Sequence, residues 1–269
     1  MVRVAELRPS RAWANLKYRR LLRRLAGPRL LRAFAGRYPE AVFVEIGAND
    51  GEHHDHLRPL IHAHDWSGIM VEPVPYVFER LRENYGRFER LRLENVAIAA
   101  RDGTMPFYHL AEAGEGEREG LPHWYHGLGS FSRETVLGHA RAIPDIEARI
   151  VSTEVRCLTF ASLCRRHELD SVDLVVIDTE GFDWEILRNI DLRAHRPRLI
   201  VYEHFHLSDD ERSQARRHLA QHGYETMEEG FDTFALDTAP DDRLSTAWRR
   251  LEPAVPGVSV HDRKDAPSG

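Results

Sequence analysis

Residues 42–52 read Val42-Phe43-Val44-Glu45-Ile46-Gly47-Ala48-Asn49-Asp50-Gly51-Glu52, an apolar, β-branched run that stops abruptly in a glycine-bracketed turn rich in acids. Such a run suits a central parallel strand buried on both faces, and sheets of that kind bind ligands just beyond their carboxyl ends. Gly47 and Gly51 lack a Cβ, so the backbone there can turn sharply and approach a ligand. Asn49 and Asp50 can bond locally or reach a bound group. Glu72 ends the next apolar run, Ile69-Met70-Val71-Glu72-Pro73. It lies about 20 residues on, where nucleotide-binding sheets carry the acid that grips ribose hydroxyls. Two strand ends and one acid predict a nucleoside site.

What the turn lacks narrows the nucleoside. A dinucleotide site needs G-x-G-x-x-G so that pyrophosphate can approach a helix N-terminus. Gly47-Ala48-Asn49-Asp50-Gly51 has other spacing, and carboxylates at Glu45, Asp50 and Glu52 repel phosphate. They suit a ligand whose amino-acid end and sulfonium are positive, which describes S-adenosylmethionine.

The 269 residues suffice for one large α/β domain with appendages. The net charge of -6 hides a basic first stretch, since residues 1–36 hold ten Arg or Lys against the single acid Glu6. Residues 10–26 read as an amphipathic helix capped by Ser10 and ended by Gly27-Pro28, with Ala14, Tyr18, Leu21, Leu22 and Leu25 on one face. We read it as a packing helix with a solvated basic face, in preference to a membrane-surface or anionic-partner helix, a third option being that the arm covers the active site or a homodimer partner. Cys157 and Cys164 are too few for a disulfide framework or zinc cluster. No run reaches the length of a membrane span and the first residues lack a signal peptide's apolar core, so a cytoplasmic location is expected.

The division expected is a basic helical arm at 1–36, the main domain at 37–239 with an inserted lid or substrate loop at 111–150, and a polar tail at 240–269. Within the domain, helices are predicted near 55–65 and 75–85, and strands at 68–72, 90–98 and 104–110. The sheet is expected to resume at 151–158. Two further apolar strand runs, 172–181 and 197–206, again end in ionisable groups, and a hairpin at 223–237 closes the sheet. Helices on both faces of a mostly parallel sheet follow from the alternation. The insertion's His123-Trp124-Tyr125-His126 offers flat surfaces for a sugar or ring.

Five separated motifs now stand in order: Val44-Glu45-Ile46-Gly47-Ala48-Asn49-Asp50-Gly51, Val71-Glu72-Pro73, Asn95-Val96-Ala97, Gly129-Ser130-Phe131 and Ile177-Asp178-Thr179-Glu180-Gly181-Phe182-Asp183. In order and spacing the chain resembles the FkbM-like methyltransferases over roughly residues 40–237. The resemblance implies a class I Rossmann-like fold, with a seven-stranded, mostly parallel sheet and a C-terminal antiparallel hairpin. It implies S-adenosylmethionine-dependent O-methylation of a sugar or secondary-metabolite hydroxyl. It assigns the methionine end of the cofactor to Glu45, Gly47, Asn49 and Gly51, and the ribose to Glu72 beside Pro73. Adenine falls to Asn95, Ala97 and Ser130, and the sulfonium to Asp178. Glu45 stands where many relatives carry Asp, and Thr159 where they often carry Asp.

Methyl transfer to an alcohol calls for close positioning and for a base or a metal. The candidate catalytic residues are Asp178, Glu180, His204 and His206, with Asp183 and Glu203 also at strand tips. Period-2 alternation puts His204 and His206 on one side and Glu203 on the other. These groups could also hold a divalent cation, but no ligand spacing is diagnostic, so no metal is predicted. The acceptor expected is a small molecule or glycoside. Nucleic acid is disfavoured because the basic arm is short and the rest acidic. The alternatives are a nucleotide-dependent oxidoreductase and a cofactor-binding protein without turnover.

Overall fold

Residues 42–46 form a strand flanked on both sides by other apolar strands, as a run without polar alternation requires. The computed structural model describes residues 25–251 other than 54, 115, 116, 118 and 119. Its first elements are α1 (Ala26–Arg37), β1 (Val42–Ile46), α2 (Arg58–Ala63), β2 (Ser67–Val71), α3 (Pro75–Tyr85) and β3 (Leu91–Glu94). Next come β4 (Ala97–Ile98), β5 (Gly103–Leu110), β6 (Gly129–Ser130), α4 (Arg133–Leu137), α5 (Ile146–Arg149), β7 (Ile150–Leu158) and α6 (Phe160–Arg166). The last are β8 (Leu174–Ile177), α7 (Asp183–Leu187), β9 (Leu199–Glu203), α8 (Asp209–Gln221), β10 (Tyr224–Glu229), β11 (Asp232–Asp237) and α9 (Arg243–Leu251).

The main sheet has seven strands in the order β10-β11-β9-β8-β1-β2-β3. Strands β3, β2, β1, β8 and β9 run parallel, and β11 is antiparallel to both β9 and β10. The sheet is thus mostly parallel with a C-terminal antiparallel hairpin, the seven-stranded α/β arrangement expected. Successive residues of each strand face opposite sides, and both sides are covered. Phe43, Leu174 and Leu199 join a core with Leu30 and Phe34 of α1, Leu81 of α3 and Trp248 of α9. Val44, Val175 and Ile200 join another with Leu163 of α6, Leu187 of α7 and Leu219 of α8.

Two strand expectations are corrected. Residues 90–98 are not one strand: β3 pairs with β2 in the main sheet, whereas β4 pairs with β7 in a second, four-stranded sheet ordered β4-β7-β5-β6. The break falls at Asn95, whose side-chain amide donates to the carbonyls of Glu72 (2.8 Å) and Pro73 (3.1 Å). Residues 151–158 likewise belong to that second sheet, antiparallel to β5, and do not resume the first. The inserted segment has a small core of its own, including Leu110, Tyr125, Leu128, Val136 and Ile146.

Gly27-Pro28 begins a helix where the sequence suggested an end. Pro is tolerated in a first helical turn, where its missing N–H is an orphan anyway. The N–H groups of Ala26 and Gly27 donate to the two carboxylate oxygens of Glu229, at 2.8 and 2.7 Å. Helix α1 then packs against α9, and Trp248 donates its indole N–H to Glu225 (2.9 Å). The remainder of the predicted helix at 10–26 and the tail beyond 251 lie outside the described residues. Among the described residues, no helix is long and apolar enough to cross a membrane.

Close packing of β1 on β2 depends on Gly68, where an added Cβ would sit 2.1 Å from the Phe43 carbonyl oxygen. Gly68→Ala should therefore cost roughly 2–3 kcal/mol of unfolding free energy. Gly36→Ala, exposed in α1 with nothing within 4 Å of the new methyl, should instead gain about 0.5–1 kcal/mol. Denaturant melts of both variants check the pair, and equal effects would contradict this packing.

Candidate active site

A cavity of about 850 Å³ opens at the carboxyl ends of β1, β2, β8 and β9, with the inserted segment along one side. It is built from two strongly turned strand tips. After β1, Gly47 has φ +87° and Asn49 φ +50°, and a Cβ on Gly47 would lie 1.8 Å from the Asp178 carbonyl oxygen. After β8, Glu180 and Gly181 have φ +51° and +94°. A non-glycine residue at positive φ is strained, so the surrounding contacts must hold it there. Asn49 donates its N–H to Glu72 (3.0 Å), and the Glu180 carbonyl accepts from the Ser130 hydroxyl (3.0 Å).

The lining is acidic. Glu45, Asp55, Glu72, Asp178 and Glu180 contribute carboxyl groups from β1, β2, β8 and the turns that follow, and Glu203, Glu229 and Asp232 add others from β9 and the β10–β11 hairpin. Among the described lining residues there is neither Arg nor Lys. Glu45 is buried, and one carboxylate oxygen of Glu45 and one of Glu203 have no hydrogen-bond partner among the described residues. A buried charge without a partner is costly. Burial, with Asp55 and Asp178 nearby, holds Glu45 well above the usual carboxylate range. Burial and the neighbouring Asp178 push Glu203 up to about 10. Asp178 is exposed and lines the cavity; desolvation by the protein around it, and then Glu180 and Asp183, hold it well above the usual range.

Glu72 plays a double part. Burial raises it to about 7, against the opposing pull of two backbone bonds from Val74 (2.8 Å) and Asn49 (3.0 Å). Those bonds use one acceptor position on each oxygen, and the other positions face the cavity. The apolar end lies beside it, where Val96, Ala97 and Ile98 meet Phe107, Phe131 and Phe182. Phe131 packs on Phe107 and Phe182 at ring separations of 5.1 and 4.7 Å.

The other end carries His206, whose Nε2 is 2.8 Å from Glu180 Oε2. The His139 ring stands 5.3 Å from that of His206 and 5.0 Å from Trp124, and burial lowers its pKa. The rings of Phe205 and Phe231 pack at a tilt with centroids 4.5 Å apart and are 55% and 59% exposed, forming an apolar lip.

Of the residues expected at the site, Glu45, Gly47, Asn49, Glu72, Pro73, Ala97, Asp178, Glu180 and His206 line this cavity. Gly51, Asn95 and Ser130 do not; they brace it. A Cβ on Gly51 would meet Tyr85 at 2.4 Å, Asn95 ties down the turn after β2, and Ser130 holds the Glu180 carbonyl. His204 is corrected outright. Strand β9 ends at Glu203, so alternation does not continue through His204, whose N–H bonds Phe231 O and whose Nδ1 lies 2.9 Å from Thr233 Oγ1. Glu203, and not His204, lines the cavity with His206. His139, Phe205 and Phe231 were not anticipated. No spacing ties His139 to Glu180 and His206, although the location of the insertion, before a strand-tip motif, was a signal that it would reach the site.

The Methyltransferase FkbM domain family matches residues 45–226, more than half of the chain, and the chain belongs to that family. It is 28% identical over 167 residues to the 2-O-methyltransferase NoeI of Sinorhizobium fredii (strain NBRC 101917 / NGR234), spanning 62% of this chain and 64% of that protein. Its fold is similar to methyltransferase FkbM from Methylobacillus flagellatus KT, at 12% identity and a TM-score of 0.44, over 74% of this chain and 44% of that one. It is also similar to precorrin-6y C5,15-methyltransferase from Geobacter metallireducens GS-15, at 15% identity and 0.35, over 73% and 81%. Structural likenesses of this strength carry no argument about the site.

Membership of a methyltransferase family implies S-adenosylmethionine as the donor to test against these residues. The residues fit such a group: a cavity of adequate size, unpartnered carboxylate oxygens on Glu45 and Glu203, the acceptor positions of Glu72, and an apolar slot lined by Phe131. The acids have a thermodynamic signature. An acid raised in the folded state contributes stability that is fully present below its unfolded value, here 4.5 for Glu45, and lost as pH rises towards the folded value. Glu45→Gln should therefore melt higher than the parent at pH 8, with the advantage vanishing by pH 4.5. Melting curves across that range check it, and an advantage independent of pH would contradict the assignment.

Proposed function

We propose that the protein is an S-adenosylmethionine-dependent O-methyltransferase acting on a hydroxyl of a sugar-bearing or other secondary-metabolite small molecule. The observation that carries this reading is the set of carboxylates at the strand tips, unrelieved by any Arg or Lys among the described lining residues. That field repels the pyrophosphate of a dinucleotide and attracts an ammonium or sulfonium. A nucleotide-dependent oxidoreductase is disfavoured on the same ground. The 2-O-methyltransferase activity in the name of the Sinorhizobium relative supports an oxygen acceptor.

Glu45 and Asp178 would receive the ammonium of the donor's amino-acid end, Glu72 the ribose hydroxyls, and the slot between Ala97 and Phe131 the adenine. When bound, S-adenosylmethionine supplies a methyl group on a sulfonium, whose S–C bond breaks as the C–O bond forms, leaving a neutral thioether while the acceptor gives up its hydroxyl proton. Phe205 and Phe231 offer their ring faces to the apolar side of a sugar or ring acceptor. Activation of the hydroxyl falls to His206 and Glu180, on the acceptor side. Enclosure by the inserted segment excludes water and fixes the approach of the two reactants.

Titration calorimetry should detect one S-adenosylhomocysteine site and no nicotinamide dinucleotide binding, and label from S-adenosylmethionine should reach the hydroxyl of a glycoside panel member. His206→Ala should lower kcat by about 100-fold or more while leaving S-adenosylhomocysteine affinity within about threefold. Failure of the parent protein to bind S-adenosylhomocysteine would overturn the reading.

A further inference from the structure

We propose that His139, Glu180 and His206 form a binding site for one divalent transition-metal cation, through which the acceptor hydroxyl is activated. The three residues come from separate segments: His139 from just beyond α4, Glu180 from the turn after β8, and His206 from the turn after β9. One ligand atom from each lies within 4.8 Å of the others. Adjacent donors bound at right angles to a cation at about 2.1 Å stand about 3 Å apart. His206 Nε2 and Glu180 Oε2 are separated by 2.8 Å, so that pair already has the spacing of neighbouring ligands.

The ligands are also held from behind. Glu180 sits at φ +51°, with its carbonyl tied to Ser130, and a Cβ on the following Gly181 would lie 3.2 Å from His206 Cβ. The strain in that turn thus aims a carboxylate at an imidazole across a narrow gap. His139 is braced against Trp124. All three residues are half-buried and line the cavity, so a bound cation would keep coordination positions open towards the acceptor.

Two imidazoles and one carboxylate favour manganese, iron, cobalt or zinc over magnesium, which prefers an all-oxygen shell. The surrounding carboxylates add a negative field that a dication relieves. In use, which rests on the methyl-transfer reading above, the acceptor oxygen coordinates the cation and its hydroxyl proton passes to solvent. An oxygen electron pair then forms the C–O bond as the S–C bond breaks. His206 thereby serves as a ligand and not as the proton acceptor.

The test uses the full chain stripped with chelator and titrated with Co²⁺, Mn²⁺ or Zn²⁺ alone, read by calorimetry and, for Co²⁺, by visible absorption. One cation per chain with imidazole-ligated Co²⁺ bands is expected. His139→Ala and His206→Ala, each still melting cooperatively, should weaken it by roughly tenfold or more. His222→Ala, which alters the His218–His222 pair at the C-terminal cap of α8 and removes no residue lining the cavity, should leave it unchanged. The proposal is overturned if the folded parent binds no cation, or if binding survives His139→Ala and His206→Ala undiminished. Cation binding without S-adenosylhomocysteine binding would sink the donor assignment and leave this site standing.

Discussion

Carboxylates brought together at the ends of parallel strands cannot all be ionised in a confined space unless something positive joins them. In this chain that constraint arises from topology, because β9, β8, β1 and β2 are neighbours in the sheet and each carries an acid at or beside its carboxyl end. Glu45, Asp178 and Glu203 are held above the ordinary carboxylate range by burial and by one another. The sheet around them is apolar on both faces, so the protein has stability to set against a locally unfavourable cluster. A cationic donor at one end and a dication at the other would each relieve part of the same repulsion.

The two turned strand tips convert that field into a shaped site. Glycine at position 47 lets the turn after β1 lie against the Asp178 backbone, which joins the donor loop to the loop carrying Glu180. The second sheet supplies the remaining side: β4 brings Ala97 to the cavity, and β6 brings Ser130 beneath Glu180. The inserted segment rests on the donor loop too, since a Cβ on Gly127 would fall 2.5 Å from the Asn49 side-chain amide. Donor and acceptor halves are therefore mechanically connected through Asn49, Glu180 and Ser130.

The strand-tip lining of the cavity, with Glu45, Gly47, Asn49, Glu72 and Asp178, was legible in the sequence because these residues cluster within motifs that end apolar runs. Continuous apolar runs mark β1, β8 and β9, and glycine-acid turns mark where β1 and β8 stop. The histidine-bearing end of the cavity was legible only in part. His204 and His206 read alike in sequence, and the end of β9 at Glu203 sent their rings to different places. His139 became visible only when the chain folded over, because its partners lie 41 and 67 positions away. The exit of the chain after β3 was hidden for a similar reason, since Asn95 is fixed by the carbonyls of Glu72 and Pro73 and not by its neighbours. Thr159, which departs from the family's acid, still caps α6, accepting from Ser162 N–H, while Asp102 accepts from Thr159 N–H and the Ser162 hydroxyl across 57 and 60 positions.

The most direct test of the central claim is a crystal structure with S-adenosylhomocysteine. The account predicts the amino group against Glu45 and Asp178, the ribose hydroxyls on Glu72, adenine between Ala97 and Phe131, and the sulfur directed towards His206. A ligand seated away from Glu72, or with its carboxylate and not its amino group against Glu45, would contradict it.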